Sequence, residues 1–364
     1  MKAITRLIQI IVGATFIFSG FVKLVDPIGF GYKLGEYFEA DVLNLEFLIP
    51  YALVIAIFVS VFELTLGVML LLGYKAKFTL WNMMAMILFF TLLTFYTAYW
   101  HKVTDCGCFG DAITLSPWAT FWKDVLLAVL LLLLIIKQDL ITPLINLKIA
   151  KLVTFASVLF GLAITYYALI HLPPMDFRPY KIGNNIREGM ETPEDAPQDI
   201  YDYIWTYKVN GVDTEFTTQG DAPDTDGEYV AVRTVLVQEG YEPPIHDFTI
   251  ENDEGDFTDM YLDEPKVLVV VAYNLDKSEM QGFENVKKAA ERALAKGYKV
   301  IALTSSAEKA PIVKEKYQLP FDFFFADETA LKTIIRANPA LMTLEKGTVK
   351  DKKSWHDAAD LNLY

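Results

Sequence analysis

The sequence predicts a mainly α-helical membrane protein with five transmembrane helices, followed by an α/β domain outside the membrane. Two observations support this fold class. Apolar residues make up 53% of the chain and the mean hydropathy is positive, yet the net charge is −14. The apolar character and the negative charge belong to different halves of the chain. Residues 1–171 carry 11 Lys or Arg and 10 Asp or Glu, whereas residues 172–364 carry 21 Lys or Arg and 36 Asp or Glu.

Five apolar runs fill the near-neutral first half. Each is close to the roughly 20 residues that cross a bilayer core as a helix, and the third has no charged residue. In lipid, backbone polar groups must be paired within the segment, so helices are predicted for all five. Buried helices of a soluble protein are a poor alternative for so many runs. The runs cover about residues 4–25, 49–73, 78–100, 118–136 and 152–171.

Basic residues predict the orientation of these helices, because Lys and Arg are enriched on the cytoplasmic side of a membrane. The N-terminus is therefore predicted to be cytoplasmic. The loop after the third span and the residues after 171 are predicted to lie outside. The residues that mark the cytoplasmic side are Lys2, Arg6, Lys75, Lys77, Lys137, Lys148 and Lys151.

Residues 172–240 predict a linker and a small β insertion. Residues 172–200 are rich in Pro, Gly and Asn, a composition typical of connections. Two β-rich runs then flank Asn210–Gly211, a dipeptide that favours a two-residue hairpin turn.

Residues 241–364 predict an α/β domain. Residues 266–274 (KVLVVVAYN) form a continuous apolar run, which is typical of a strand covered on both faces. An amphipathic helix over residues 278–297 leads to a second buried strand, and alternating elements continue to a closing hairpin after residue 339. This order predicts parallel strands joined by crossover helices.

The C-terminal domain resembles the thioredoxin/peroxiredoxin-like fold. PPIHDFTIENDEGDFTDMYLDEPKVLVVVAY (243–273) is similar to that family's entry into its first core strand. NPALMTLEKGTV (338–349) is similar to its segment with a cis-proline, which implies that Pro339 takes this position and helps to bind a partner. The family's Cys-x-x-Cys is replaced by AYNLDKSEMQG. Without thiols the domain cannot exchange disulfides, so it is predicted to be a binding module or a spacer.

Cys106 and Cys108, the only two cysteines, lie in the loop after the third span. Three interpretations stay open. A zinc site needs four ligands, and only His101, with Asp105 or Asp111, lies nearby. Two inert buried thiols fit poorly with a polar loop. The third interpretation is a redox-active pair.

Physical chemistry favours the redox-active pair. Gly107 can adopt backbone conformations that are closed to other residues, which lets the two sulfurs approach. A disulfide across this spacing would be strained, and strained, exposed disulfides are more oxidising and labile. A structural disulfide gains stability by closing a longer loop, and this one would close almost none.

Residues 1–138 resemble the DoxX/MauE family of bacterial membrane proteins. FSGFVKLVDP (18–27), FELTLGVMLLLG (62–73) and CGCFG (106–110) occur in the family's order. The resemblance implies a four-helix transmembrane bundle in the bacterial cytoplasmic (inner) membrane, with Cys106 and Cys108 as an electron-carrying pair in extracytoplasmic thiol chemistry. It also implies a membrane quinone as the candidate acceptor. Residues 139–171 then form a cytoplasmic loop and a fifth span that leads to the C-terminal domain.

Four ionisable residues are predicted to support the cysteine pair or face a quinone. Glu63 lies near the middle of the second span, where a carboxylate is costly and faces the bundle interior. A proton relay or quinone contact and a structural hydrogen bond between helices both explain it. Lys23 and His101 are candidates to promote a thiolate, although ion pairing or snorkelling explains Lys23 and an interfacial position explains His101. Asp105, next to Cys106, completes the set.

Two hypotheses for function follow. In the first, a membrane thiol–disulfide oxidoreductase takes electrons from an extracytoplasmic thiol-containing protein through the cysteine pair, with no covalently bound cofactor. In the second, a redox-inert membrane anchor or assembly factor presents the C-terminal domain for binding. The excess of acidic residues after residue 171 argues against a nucleic-acid partner, and no metal is expected.

Overall fold

The computed structural model describes every residue except 1, 101, 102, 104–106, 114 and 239. Three of the predicted site residues, Cys106, His101 and Asp105, therefore lie outside the described residues. The other predicted site residues are described.

Five described helices are long and apolar enough to cross a membrane, as the sequence predicts. Their ends follow local signals. The helix that starts at Pro117 is capped by Ser116, whose hydroxyl accepts a hydrogen bond from the backbone N of Ala119. The second long helix stops at Gly73, which has a φ of +65°. The five are α1 (Lys2–Val25), α3 (Ala52–Leu72), α4 (Ala76–Trp100), α5 (Pro117–Ile136) and α6 (Leu147–Ile170).

A shorter helix, α2 (Pro27–Phe38), directly follows α1. Asp26 caps it, because its Oδ1 accepts a hydrogen bond of 2.9 Å from the backbone N of Gly29. Pro27 occupies the first turn, where no amide hydrogen is needed. Buried Tyr37 and Phe38 pack α2 in one cluster with the start of α3. We call one end of the helix bundle the loop end. It is the end where α1 ends, α2 lies and α3 begins.

Small residues let the backbones of α1 and α3 approach closely. A Cβ atom on Gly20 would lie 2.6 Å from the backbone N of Leu64, and one on Gly67 would lie 2.8 Å from the carbonyl oxygen of Gly13. This crossing determines where the ionisable residues meet. Lys23 follows Gly20 by about one turn on α1, and Glu63 precedes Leu64 on α3.

The predicted β insertion is a three-stranded antiparallel sheet in the order β2-β1-β3. The hairpin at Asn210–Gly211 is confirmed, because Val209 pairs with Val212 across the turn. Asn210 and Gly211 have φ values of +51° and +84°, as a two-residue turn of this type requires. The strands are β1 (Ile200–Val209), β2 (Val212–Thr218) and β3 (Glu228–Gln238).

The C-terminal region is an α/β sheet domain with the strand order β10-β9-β6-β7-β8-β4-β5. As predicted, β6, β7 and β8 are parallel and the chain closes with the antiparallel hairpin β9–β10. The strands are β4 (Glu251–Asn252), β5 (Gly255–Asp256), β6 (Val267–Val271), β7 (Lys299–Thr304), β8 (Asp322–Phe325), β9 (Ala340–Glu345) and β10 (Thr348–Ser354). The helices are α7 (Ile186–Met190), α8 (Thr258–Asp263), α9 (Gly282–Ala295), α10 (Ala310–Tyr317) and α11 (Glu328–Ile334).

Strand β6 lies at the centre of this domain, and all five of its residues are fully buried. Val269 points into one hydrophobic cluster, which also contains Phe248 and Met342. Its neighbour Val270 points into a second cluster on the opposite face, where Phe283 of α9 lies. Burial on both faces explains why the sequence of β6 is apolar at every position rather than alternating.

The segment predicted as a linker is part of this domain's packing. Tyr180 and Ile186 are each 1% exposed and belong to the same hydrophobic cluster as β6. These two apolar side chains pack the segment against the sheet, although the segment is rich in Pro and Gly. The C-terminal region therefore begins close to the end of α6, without a long spacer.

A buried ionic group holds this segment in place. The carboxylate of Asp176 accepts hydrogen bonds of 2.7 Å from Nε of Arg178 and from Nζ of Lys352 on β10. Burial opposes ionisation of Asp176, but Lys352 and Arg178 outweigh it and lower its pKa to about 2.

The Asp176 pKa predicts a loss of stability in acid. A carboxyl group with a pKa below its unfolded value stabilises the fold above pH 4, and this contribution, about 2 kcal/mol, disappears as the pH falls towards 2. Urea unfolding of the full chain in nanodiscs at pH 5 and pH 2.5 should therefore show a clear drop in stability. Asp176→Asn should be less stable at pH 5 and less sensitive to acid. Equal acid sensitivity of both chains would contradict this assignment.

Candidate functional site

The segment between α4 and α5 lies at the loop end. Its described residues 107–113 are called the cysteine loop. Gly107 has a φ of +62°, in the left-handed region that favours glycine. A Cβ atom there would lie 3.3 Å from Cγ of Lys33 on α2. Gly110 also has a positive φ, and a Cβ atom on it would lie 3.2 Å from Val22 of α1. The loop therefore lies close against α1 and α2.

Cys108, a residue of this loop, is buried and only 7% exposed. Its carbonyl oxygen accepts a hydrogen bond of 2.7 Å from the hydroxyl of Ser19 on α1. This contact fixes the backbone of the cysteine loop to the first transmembrane helix.

Ser19 links Cys108 to a buried ion pair. The ammonium of Lys23 donates hydrogen bonds to the Ser19 hydroxyl at 2.9 Å and to Oε2 of Glu63 at 2.8 Å. Lys23 and Glu63 are 2% and 5% exposed, so the pair is almost completely removed from solvent. A continuous chain of polar contacts thus runs from Glu63 on α3, through Lys23 and Ser19 on α1, to the cysteine loop.

Aromatic rings complete the surroundings of the Lys23 ammonium. The rings of Phe30 and Phe90 each have their centroid 5.2 Å from Nζ. These cation–π contacts and the ion pair with Glu63 surround the Lys23 side chain in the bundle interior, beside the cysteine loop.

A second ion pair lies on α5. Lys123 Nζ is 3.0 Å from Oδ1 of Asp124, and Asp124 also accepts a hydrogen bond of 3.3 Å from Thr94 on α4. The Lys123 ammonium is 4.4 Å from the centroid of Phe109 in the cysteine loop. Both ion pairs line one small cavity beside the loop.

This cavity, called the inner cavity, has about 20 Å³ of space for water, which is room for about one water molecule. A quinone ring is larger than this cavity. The residues lining the cavity include Cys108, Phe109, Ser19, Lys23, Glu63, Lys123 and Asp124.

The structure brings three predicted site residues together, namely Cys108, Lys23 and Glu63. The Lys23 ammonium pairs with Glu63 in the bundle interior, because the α1–α3 crossing brings the two side chains together. The interhelical interaction expected as one explanation of Glu63 is therefore present.

Pro339 lies in the sheet domain, in the turn between α11 and β9, and the Asn338–Pro339 peptide bond is cis. The adjacent Asn338 side chain donates to the carbonyl of Asn274 and accepts a hydrogen bond from Ser278. The same turn begins with Arg336, which reaches the membrane helices.

Arg336 connects the sheet domain to the loop end. Its Nε donates to Oδ2 of Asp26 at 2.8 Å, and its Nη2 lies 3.4 Å from Oδ2 of Asp111 in the cysteine loop. Burial would lower the pKa of Arg336, but Asp26 and Asp111 outweigh it and raise the pKa above the usual value. Two more contacts join the regions, because the hydroxyls of Tyr32 and Tyr273 are 3.1 Å apart and His171 Nδ1 lies 2.8 Å from Asp357.

Sequence reasoning missed Ser19 and Arg336. The signal for Ser19 was its spacing of four residues before Lys23, which places both side chains on one face of α1. Arg336 carried no comparable signal, because its partners are 310 and 225 residues away.

Among the described residues, no group of three or more His, Cys, Asp or Glu side chains could hold a metal ion.

Taken with the five apolar helices, these features define a multi-pass membrane protein. Residues 1–137, which span α1 to α5, match the family model described as methylamine utilisation protein MauE. The membrane part of the chain that contains Lys23, Glu63 and the cysteine loop is thus similar to that family. No curated protein and no solved structure matches the chain.

Proposed function

We propose that the chain is a membrane thiol–disulfide oxidoreductase, with Cys106 and Cys108 as its redox pair. In the oxidised pair, a thiolate of the substrate attacks one sulfur, so that a mixed disulfide forms and the other cysteine leaves as a thiolate. A second substrate thiolate then attacks the substrate sulfur of the mixed disulfide. The substrate leaves as a disulfide, and the pair gains two electrons and two protons.

The single observation that carries this proposal is the polar chain from Glu63 through Lys23 and Ser19 to Cys108. A buried charge in the membrane is costly and is retained where it serves a purpose. A positive charge close to a cysteine favours the thiolate, which is the reactive form and the leaving group of the exchange. Glu63 holds the Lys23 side chain in position, and Ser19 fixes the backbone of the cysteine loop at the same time.

The topology of the chain supports a common location for the cysteine pair and the C-terminal region. Arg336 contacts the cysteine loop, so both lie at the same end of the membrane helices. We place this end on the outer side of the bacterial inner membrane, because the predicted cytoplasmic N-terminus and an odd number of spans require it.

The C-terminal domain is proposed to be thioredoxin-like and to act in binding. Its central parallel strands and its closing antiparallel hairpin support the resemblance. Residues 172–364 contain no cysteine, so the domain cannot carry electrons by thiol chemistry.

A membrane quinone remains our proposal for the oxidant that restores the disulfide, and it is tested by withdrawing quinone from cells. The exchange described above is complete without a step at the quinone.

The test is the oxidation of a reduced dithiol peptide by membranes that contain the full chain. Cys106→Ser and Cys108→Ser should each reduce the rate to that of membranes without the protein. Ser157→Ala on α6, which loses only a hydrogen bond within its own helix, should keep the normal rate. Activity that survives both cysteine substitutions would overturn the proposal.

The second candidate, a redox-inert anchor that presents the C-terminal domain, is favoured by the lack of cysteines in that domain. It predicts that membranes containing the wild-type chain oxidise the dithiol peptide no faster than membranes without the protein, and that both serine variants behave as wild type. The wild-type rate therefore separates the two candidates.

A further inference from the structure

We infer that a groove along the open edge of strand β8 is a docking site for an extended, basic segment of a partner protein. This inference rests on the binding role proposed above for the C-terminal domain, and it specifies the chemistry of the partner. The exchange at the cysteine pair plays no part in it.

The groove lies between β8, the first turns of α10 and the turn that joins β4 to β5. It has about 590 Å³ of space for water, a size typical of ligand sites, whereas the inner cavity has about 20 Å³. The residues that line it include all four residues of β8, together with Ala310, Pro311 and Lys314 of α10 and with Glu251 and Asp253.

Strand β8 has a complete partner on one side and a short one on the other. All four of its residues pair with β7. Towards β4, the pairing that the structure describes is the single pair of Phe325 with Glu251. An edge strand leaves backbone N–H and C=O groups free to pair with another chain. Because the groove follows this edge, an extended segment lying in it can add a strand beside residues 322–324 through main-chain hydrogen bonds.

The charge of the groove favours a basic segment. Three carboxylates line it, namely those of Glu251, Asp253 and Asp322, against the single ammonium of Lys314. Lys314 is already paired with Asp322. Glu251 and Asp253 form no ion pair with any described residue, so both are available to a cation of the incoming segment.

An exposed aromatic ring gives the groove an apolar part as well. Phe325 is 43% exposed, although it ends a strand of the sheet. It shares a face of β8 with Phe323, which packs against the hydrophobic cluster that also contains Val313 of α10. The ring of Phe325 and the neighbouring Pro311 thus offer a surface for an apolar side chain. An extended segment in which basic and apolar residues alternate satisfies both parts of the groove.

The groove stays accessible while the sheet domain is docked on the membrane helices. The polar contacts described between the two regions are made from the sheet domain by Arg336, Tyr273 and Asp357, and none of these residues lines the groove. A partner can therefore bind without displacing the domain.

The inference is tested with the full chain in nanodiscs of phosphatidylcholine, a lipid without net charge. The probe is a fluorescent nine-residue peptide of alternating lysine and valine. It should bind wild type at least about tenfold more tightly than the same peptide with glutamate in place of lysine. A version of the probe that is N-methylated at alternate amides keeps every charge, and it should bind about tenfold more weakly because it cannot pair fully with β8.

Two variants locate the peptide on the chain. Glu251→Gln combined with Asp253→Asn should weaken binding of the probe about fivefold, through the loss of two exposed ion pairs. Phe325→Ala should weaken it by a similar factor, about fivefold, through the loss of apolar contact. The matched control is Glu284→Gln combined with Glu291→Gln, which removes the same charge from exposed positions on α9 and should bind as wild type does. Thermal unfolding of each chain verifies that it is folded.

Absence of binding to wild type, equal binding of the N-methylated peptide, or an equal loss of affinity in the α9 control would overturn the inference. The wild-type preparation is also assayed for oxidation of the dithiol peptide. Oxidation without binding of the probe overturns the groove alone, whereas binding without oxidation supports the groove and contradicts the proposed oxidoreductase.

Discussion

Lys23→Met is expected to destabilise the membrane helices by about 3–5 kcal/mol, because Glu63 would remain as a buried carboxylate without its cation. The inner cavity has room for about one water molecule, so solvent can replace only a small part of the interaction with Lys23. Unfolding of the full chain in mixed micelles, followed by tryptophan fluorescence, measures this loss. Lys77→Met, at an exposed position near the start of α4, is the matched control and should change stability little.

The double variant Lys23→Met with Glu63→Met separates the structural role of the pair from its chemical role. Replacing both partners of a buried ion pair by apolar residues is often neutral or stabilising, so stability should return close to wild type. The exchange rate should still fall by about tenfold or more, because the thiolate loses the positive charge that favours it. A double variant with normal stability and a normal exchange rate would show that the pair is only structural.

Gly20→Ala is expected to destabilise the bundle by about 1–3 kcal/mol, because the added methyl group meets backbone atoms that cannot rotate away. The Cβ atom would lie 2.6 Å from the backbone N of Leu64, so α1 and α3 would have to move apart. This movement would also stretch the contact between Lys23 and Glu63, which lies one turn away.

The control for this variant is Gly35→Ala on α2, where an added Cβ has no atom within 4 Å. Alanine favours a helix over glycine by about 1 kcal/mol, so Gly35→Ala should be neutral or slightly stabilising. Thermal unfolding of the three chains in the same detergent makes the comparison. Equal loss of stability in both variants would contradict the proposed close packing of α1 and α3.

Much of the fold could be predicted because its signals are local. Long apolar runs determine the transmembrane helices, Asn210–Gly211 determines a hairpin, and the apolar sequence of β6 follows from burial on both faces. The segment after α6 was harder to predict. Its Pro and Gly residues indicate a connection, and the tertiary contacts of Tyr180 and Ile186 outweigh that composition.

The candidate site was predictable only in parts. Lys23 and Glu63 could be selected individually because charged residues inside spans are costly. Their pairing depends on how α1 crosses α3, which the glycines permit but the sequence does not specify. The contact of Arg336 with Asp26 and Asp111 depends on how the sheet domain docks, and no local pattern encodes that arrangement.

The most direct test of the central claim is the oxidation state of Cys106 and Cys108 in intact cells. Differential thiol alkylation and mass spectrometry measure the disulfide fraction of the pair, with normal quinone levels and after quinone depletion. A redox-active pair that quinone reoxidises predicts a disulfide that turns into two thiols when quinone is withdrawn. Cysteines that stay reduced, or a disulfide that does not respond, would contradict quinone-linked electron flow through this pair.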